Sequence, residues 1–509
     1  MLRRFLTSAL VVLASTLLMY VLVDLAIDPL FDLRTSTAPN KEQLIANRIA
    51  ALDLDQPVLV RYLDWLRGAS GCLVGSCDLG VAWSSGQKVT DQLGGAIMTT
   101  IQLVTAATLL AILVGVAVGI VSALRQYSGF DYTITFQSFV LYSLPIFWVA
   151  VLLKQYLAIE FNSFLADADI GWKFTLVGSL LVGAFAAGVA GGSRARRLKV
   201  FGVAGLVTAL ALLYVDRTRW LEDPSLGIVG IAVGGVGLAF LMTHLSTGLR
   251  NTRARNSALT VAAIGVVLYY PLLYVYYYVG ASWPIMFALL GIAIVVAILV
   301  GWVWGGPDWR QSSRTGVFTA VPIAVLLFVD KLMSAWQPYA ESNLIKGRPI
   351  ATIGPRTPGL SGSFWIETMD LFTHLLLPSI ALVLISFASY TRYSRASMLE
   401  VMNQDYIRTA RAKGLTERTV VMRHAFRNSL IPLASIVPVD VITLIGGAVI
   451  TETIFGWFGM GRLFVDSLSH NEIDPVMAYI LIVGVLAVVA NFVADLLYAV
   501  LDPRIRVNA

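Results

Sequence analysis

Apolar residues recur along this chain in uninterrupted runs of about 20, the length a helix needs to cross the hydrocarbon of a bilayer. The first extends from about 5 to 27, behind Arg3-Arg4. Others lie near 97–123, 132–158, 173–191, 200–215, 227–247, 257–279, 283–304, 316–336, 372–391, 430–450 and 476–499. They are continuous rather than alternating, which argues against a membrane β-barrel. The pattern predicts an all-α polytopic membrane protein with about twelve spans.

The charges between the runs give the spans a direction, because loops rich in Lys and Arg stay cytoplasmic. Arg3-Arg4 puts the N-terminus inside, and the first run, too long for a signal peptide and without a small-residue cleavage site, is expected to stay uncleaved. Arg194, Arg196, Arg197 and Lys199 follow one run and Arg250, Arg253 and Arg255 another, and both groups fall inside if each run crosses once. Between 392 and 427 stand eight basic residues against three acidic ones. The stretches near 28–95, 216–225 and 337–371 carry mixed charge and are expected outside. Both termini, including Asp502–Ala509, are expected in the cytoplasm.

Composition agrees: 57% of the 509 residues are hydrophobic and 13% charged, with a mean hydropathy of +0.76, which excludes a soluble enzyme and a disordered chain. The net charge of +6 is dispersed between the runs, so it indicates topology rather than nucleic-acid binding. Cys72 and Cys77 lie in the first external stretch, as a candidate disulfide or as two small reduced residues. The chain has no GxxxxGK[ST] phosphate loop, so any ATP-driven step needs a partner. Its four histidines, His244, His374, His424 and His470, have no metal-ligand spacing and are expected to be packed or hydrogen-bonded. Gly115 with Gly119 and Gly230 with Gly234 are read as helix-packing positions, the tyrosines of 269–278 as an interfacial belt, and Asp330 and Lys331 as snorkelling charges.

The segment 398–432 differs from the other linkers. Asn403 or Asp405 can cap a short helix, Thr409, Ala410 and Ala412 keep part of its surface low, Gly414 can end it in a left-handed turn, and Thr416 can cap a second helix. Such a helix suits a groove on another protein, or equally a solvated loop on anionic lipid. Its sequence, QDYIRTARAKGL followed by RHAFRNSLIP, resembles the EAA-type coupling loop of the permease subunits of bacterial ABC importers, in the dipeptide and oligopeptide form. LDLDQP at 52–57 with RYLDW at 61–65, RYSRASMLEVMNQ at 392–404, TETIFGWFGMGRL at 451–463 and LLYAVLDPRIR at 496–506 are similar to other blocks of that family. Arg408-Thr409-Ala410 stands where the general motif has Glu-Ala-Ala.

The resemblance implies a type I, MetI-like permease core of about six helices, with about six more inserted. It divides the chain into an N-terminal helix (1–28), an extracytoplasmic segment (29–96), core helices two and three (97–160), an inserted bundle (161–338), an external loop (339–371), and the remaining core with its coupling loop (372–509, loop 398–430). The coupling residues it implies are Gln404, Asp405, Tyr406, Arg408, Thr409, Ala410, Arg411, Ala412, Lys413 and Gly414. It implies a transport subunit of the bacterial cytoplasmic membrane rather than an enzyme, with no cofactor or metal on this chain. ATP and Mg would sit on two cytoplasmic ATPases; the other implied partners are a second homologous permease, an extracytoplasmic binding protein and the bilayer. Peptides are the expected cargo. Nickel complexes or another small solute on the same architecture, or a secondary transporter, are the alternatives.

Overall fold

The computed structural model describes residues 2–37 and 39–501; Asp502–Ala509, and with them the end of the 496–506 motif, lie outside the described residues. Its principal helices are α1 (Leu2–Ala26), α2 (Val58–Ser70), α3 (Val89–Leu124), α4 (Gly129–Ser143), α5 (Ile146–Leu153), α6 (Trp172–Ala190), α7 (Arg194–Arg217), α8 (Gly227–Ser246), α9 (Thr252–Val267), α10 (Tyr269–Tyr278), α11 (Trp283–Gly305) and α12 (Trp309–Met333). They continue with α13 (Phe364–Met402), α14 (Asp405–Ala412), α15 (Ile431–Ile445), α16 (Val449–Phe455), α17 (Met460–Ser469) and α18 (Ile473–Leu501). Among the described residues the only strands are Val81–Ala82 and Gln87–Lys88, paired antiparallel.

Among the described residues eight segments are long and apolar enough to cross a membrane, and three bent helix pairs reach that length together. One of the eight, Trp283–Met333, folds back at Gly306-Pro307-Asp308: Ser313 Oγ donates to Ile298 O (2.9 Å), and a Cβ on Gly316 would meet Ala297 O at 2.9 Å. With that segment counted as the two helices α11 and α12, and each bent pair as one span, the described residues hold twelve segments long and apolar enough to cross. Each bend has a proline at or just beyond the break, Pro145, Pro271 and Pro432, whose ring removes a backbone donor and crowds the preceding turn. The sharpest, 100°, divides the run read as one helix over 132–158: Leu144, ahead of Pro145, is extended.

Contacts between connections sort the helix ends onto two faces. On one, Trp83 and Ser84 bond Asn471 and Glu472, Asn162 bonds Ile350, Lys154 bonds Ile454, and Trp336 bonds Leu221. On the other, Asp131 meets Arg395, and Arg418 meets the end of α8. The basic residues 194–199 lie on this second face in the first turns of α7, which Ser193 caps, rather than in a loop.

The core pair is α3 against α13. A Cβ on Gly115 would meet the Tyr390 Cβ at 2.9 Å, and one on Gly119 would land on the Ser394 hydroxyl and the Thr391 carbonyl. Their missing side chains let Thr391 Oγ1 and Ser394 Oγ donate to Gly115 O across the crossing (3.2 and 3.4 Å).

Residues 161–338 fold as two pieces. α6 and α7 form a hairpin beside α4, with no buried residue on α7. α8, α9, α11 and α12 pack through Ala239, Ala258, Ala262, Ala297, Ala320 and Ile323, and join α13 through aromatic contacts of Trp283, Phe328 and Tyr276 with Phe364 and Trp365. Asp330 does not snorkel. It is 5% exposed and accepts from Leu226 N (2.8 Å), Gly227 N (2.9 Å) and Tyr269 OH (2.9 Å), so it caps the start of α8. His374 is buried and hydrogen-bonded to Asp370 O.

Gly119→Val should place a branched side chain inside the α3–α13 crossing and destabilise the protein by about 1–3 kcal/mol or more. The thermal unfolding midpoint of the purified protein in detergent should fall; an unchanged midpoint would mean the helices do not meet there.

Candidate coupling surface

α13 runs past its apolar portion and ends at Asn403, whose Nδ2 donates back to Leu399 O (3.0 Å). Asn403 therefore closes α13 instead of opening the next helix. Nor does Asp405 act as the cap: the N-cap position of α14 is Gln404, in extended conformation and without a side-chain cap bond, and Asp405 lies in the first turn, where a carboxylate suits the helix dipole. α14 ends as its sequence indicates. Gly414 has φ +73° and its N–H donates to Arg411 O (2.9 Å), a turn that glycine makes without steric cost. Thr416 then accepts from Thr419 N (3.4 Å) and caps the following turn.

α14 has two faces of opposite character. Ile407 (0% exposed) and Ala410 (5%) point into the protein, against Ile120 and Ala123 of α3, Met398 of α13, and Val420, Val421 and Ala425. The low surface expected at Thr409, Ala410 and Ala412 is thus divided: Ala410 seats the helix, while Thr409 and Ala412 are exposed with Gln404, Asp405, Tyr406, Arg408, Arg411, Lys413 and Gly414. Ala410 faces inward because it follows Ile407 by three residues, and so shares its side of the helix.

Polar contacts fix this seat. Arg411 donates to both carboxylate oxygens of Glu417 (2.7 and 3.2 Å), which raises its pKa above the ordinary guanidinium value and clips α14 to the next turn. Asn428 Nδ2 donates to Tyr406 OH (2.9 Å). Behind them, Arg395 grips Asp131 through Nε (2.7 Å) and Nη2 (3.0 Å), while Ser122 Oγ and Tyr127 N donate to the same carboxylate.

Sequence reasoning missed the contact of Arg418. Its Nη2 lies 3.1 Å from Ser246 O and 3.2 Å from Leu245 O, at the C-terminal end of α8, where unpaired carbonyls favour a cation. This joins the segment after α14 to the four-helix bundle of α8, α9, α11 and α12, and nothing in the linear spacing announces it.

Cys72 and Cys77 are bonded to each other just after α2, which packs on α1 through Tyr20, Tyr62 and Trp65 and through the Arg61–Asp24 ion pair (2.7 Å). The 451–463 motif folds into α16, a turn and α17, with Glu452 fully buried. Its carboxylate accepts from Thr100 Oγ1 (2.7 Å) and Arg462 N (2.9 Å), and a side chain at Gly459 would strike both Glu452 and Thr100. Among the described residues no group of three or more His, Cys, Asp or Glu could hold a metal ion.

Residues 261–507 match the family model described as binding-protein-dependent transport system inner membrane component. The oligopeptide transport system permease protein OppB of Mycobacterium tuberculosis is 43% identical over 155 residues, covering 30% of this chain and 48% of the relative. The dipeptide transport system permease protein DppB of Escherichia coli K12 is 44% identical over 148 residues, covering 29% and 42%. The chain thus spans about half the length of these curated relatives. A Brucella ovis protein that carries a peptide-permease name is 35% identical over 235 residues, covering 45% of this chain and 70% of that protein. A multi-pass membrane chain with these matches belongs to the family of binding-protein-dependent transport system inner membrane components.

Proposed function

We propose that this chain is one of two membrane subunits of an ATP-driven importer and forms half of a translocation path for dipeptides and oligopeptides. One observation carries the reading: α14 is an exposed cationic helix held from beneath by Ile407 and Ala410, a shape suited to a groove on a separate protein. The names of the OppB and DppB relatives support peptides as cargo.

In this reading a second homologous permease completes the path, and an extracytoplasmic binding protein delivers substrate to the face carrying the Cys72–Cys77 bridge and the 451–463 motif. ATP and Mg bind on two cytoplasmic ATPase subunits, so this chain is a transport subunit without a cofactor. It lies in the bacterial cytoplasmic membrane with both termini inside. When the ATPases close, their grooves displace α14, and because Ile407 and Ala410 touch α3 and α13, the displacement reaches the core pair. ATP thereby biases the path between inward-open and outward-open arrangements.

Orientation is tested by labelling single cysteines in intact cells. Asp223→Cys, exposed on the first face, should react with an impermeant maleimide from outside, and Arg250→Cys, exposed on the second, only after permeabilisation. The reverse pattern would overturn the topology.

Coupling is tested in the assembled complex by transport and receptor-stimulated ATP hydrolysis. Gly414→Pro, which cannot adopt φ +73°, should abolish transport while the protein still reaches the membrane. Ala410→Leu and Thr409→Leu should separate the two faces of α14. The first should overfill the seat and cost about 1–3 kcal/mol of stability. The second should change stability by less than about 0.5 kcal/mol and yet depress stimulated hydrolysis. Normal transport with both Gly414→Pro and Thr409→Leu would show that the segment does not transmit the ATPase stroke.

A further inference from the structure

A cavity of about 370 Å³ opens on the outward face between the start of a π-helical turn (Lys154–Glu160), the connection 339–358 and α13. Its lining carries Lys154, Arg348 and Arg356, with His374 beside them, and includes no Asp or Glu. Lys154 Nζ donates to Ile454 O (3.2 Å), and among the described residues none of the three cations has an ion-pair partner. The acid behind this wall is held by the lining itself: Asp370 accepts from Tyr339 OH (3.1 Å), Thr357 Oγ1 (2.6 Å) and Thr357 N (2.9 Å), and lies 3.5 Å from His374 Nδ1.

The wall that carries the two arginines is fixed. Asn162 bonds both backbone groups of Ile350 (2.8 and 3.0 Å), and Gly354 N donates to Phe455 O (2.7 Å). Lys154 lies at the start of a π-helical turn, a helix irregularity found frequently at functional sites. A fixed wall that presents three cations, with its one nearby acid buried behind Tyr339 and Thr357, suits an anion. The guanidinium fork matches a planar carboxylate in two-bond geometry, and Leu344, Ile345 and Ile353 supply apolar lining suited to an adjacent side chain rather than to a free, fully hydrated phosphate. The volume lies in the roughly 300–1,000 Å³ range of small-molecule pockets.

We infer that this cleft binds the C-terminal carboxylate of the transported peptide, so that this chain itself selects for a free C-terminus. The inference rests on the peptide-import reading above and adds to it a recognition site on the permease. Lys154 fixes the depth of the carboxylate, and Arg348 and Arg356 hold it at the mouth.

The test uses the complete complex in proteoliposomes with saturating receptor, and compares uptake of one peptide as free acid and as C-terminal amide. The wild-type complex should favour the acid by about tenfold or more, as expected for the loss of one charge-assisted bond. Lys154→Gln/Arg348→Gln/Arg356→Gln should lower acid uptake to the amide level, with amide uptake and receptor-stimulated ATP hydrolysis retained. If the triple variant fails to accumulate, Arg348→Gln alone, at an exposed loop position, should narrow the preference in the same direction. A variant that keeps the full acid preference would overturn the cleft while leaving peptide import intact. Inhibition of wild-type uptake by inorganic phosphate but not by acetate would reassign the cleft to free phosphate and also overturn the proposal. Wild-type complex that takes up neither peptide would overturn the peptide reading itself.

Discussion

Within a bilayer apolar side chains gain little by leaving lipid for protein, so helices associate through close packing and polar bonds. The crossing of α3 and α13 supplies both: Gly115 and Gly119 remove the side chains that would separate the backbones, and Thr391 and Ser394 bond the carbonyl so exposed. These helices come from opposite sides of residues 161–338, so their meeting assembles a core from distant sequence. It also sets up both ends of the molecule. Thr100, on the part of α3 toward the first face, donates to Glu452 and so holds the 451–463 turn; Ile120 and Met398, toward the second face, form part of the floor on which α14 sits.

Buried acids complete that arrangement. Asp131, Asp330, Asp370 and Glu452 are each nearly sealed from solvent, a costly state unless donors surround the carboxylate. Each is surrounded, by an arginine fork, by the start of a helix, by a tyrosine and a threonine, or by a threonine and a backbone amide. Asp131, Asp330 and Glu452 join elements distant in sequence, and Asp370 ties α13 to the connection just ahead of it.

What the linear sequence revealed follows from range. The spans are legible because a 20-residue apolar run has few other solutions, and the Gly115/Gly119 spacing, the Gly414 turn and the Thr416 cap are local enough to read directly. The bend at Pro145 was available in principle, since a proline inside an apolar run is a break signal, but hydropathy alone smooths over it. The inward face of Ala410 needed the partners of Ile407, contributed by α3, α13 and the residues after α14. The role of Asp330 needed the start of α8, and the contact of Arg418 needed its end; no periodicity encodes such tertiary partners.

The α6–α7 hairpin stands apart from these constraints. α7 buries no residue, its partner α6 meets the core along α4, and Asp216, near the end of α7, bonds back to Ile170 N (3.0 Å) just ahead of α6. Every element needed to hold the pair together therefore lies within the pair. In terms of local opening, parting the hairpin from α4 leaves the α3–α13 crossing and the four acid sites in place, while Trp336 Nε1 still holds Leu221 O just beyond α7 (3.0 Å). Its parting from α4 therefore falls under local opening rather than under unfolding of the core.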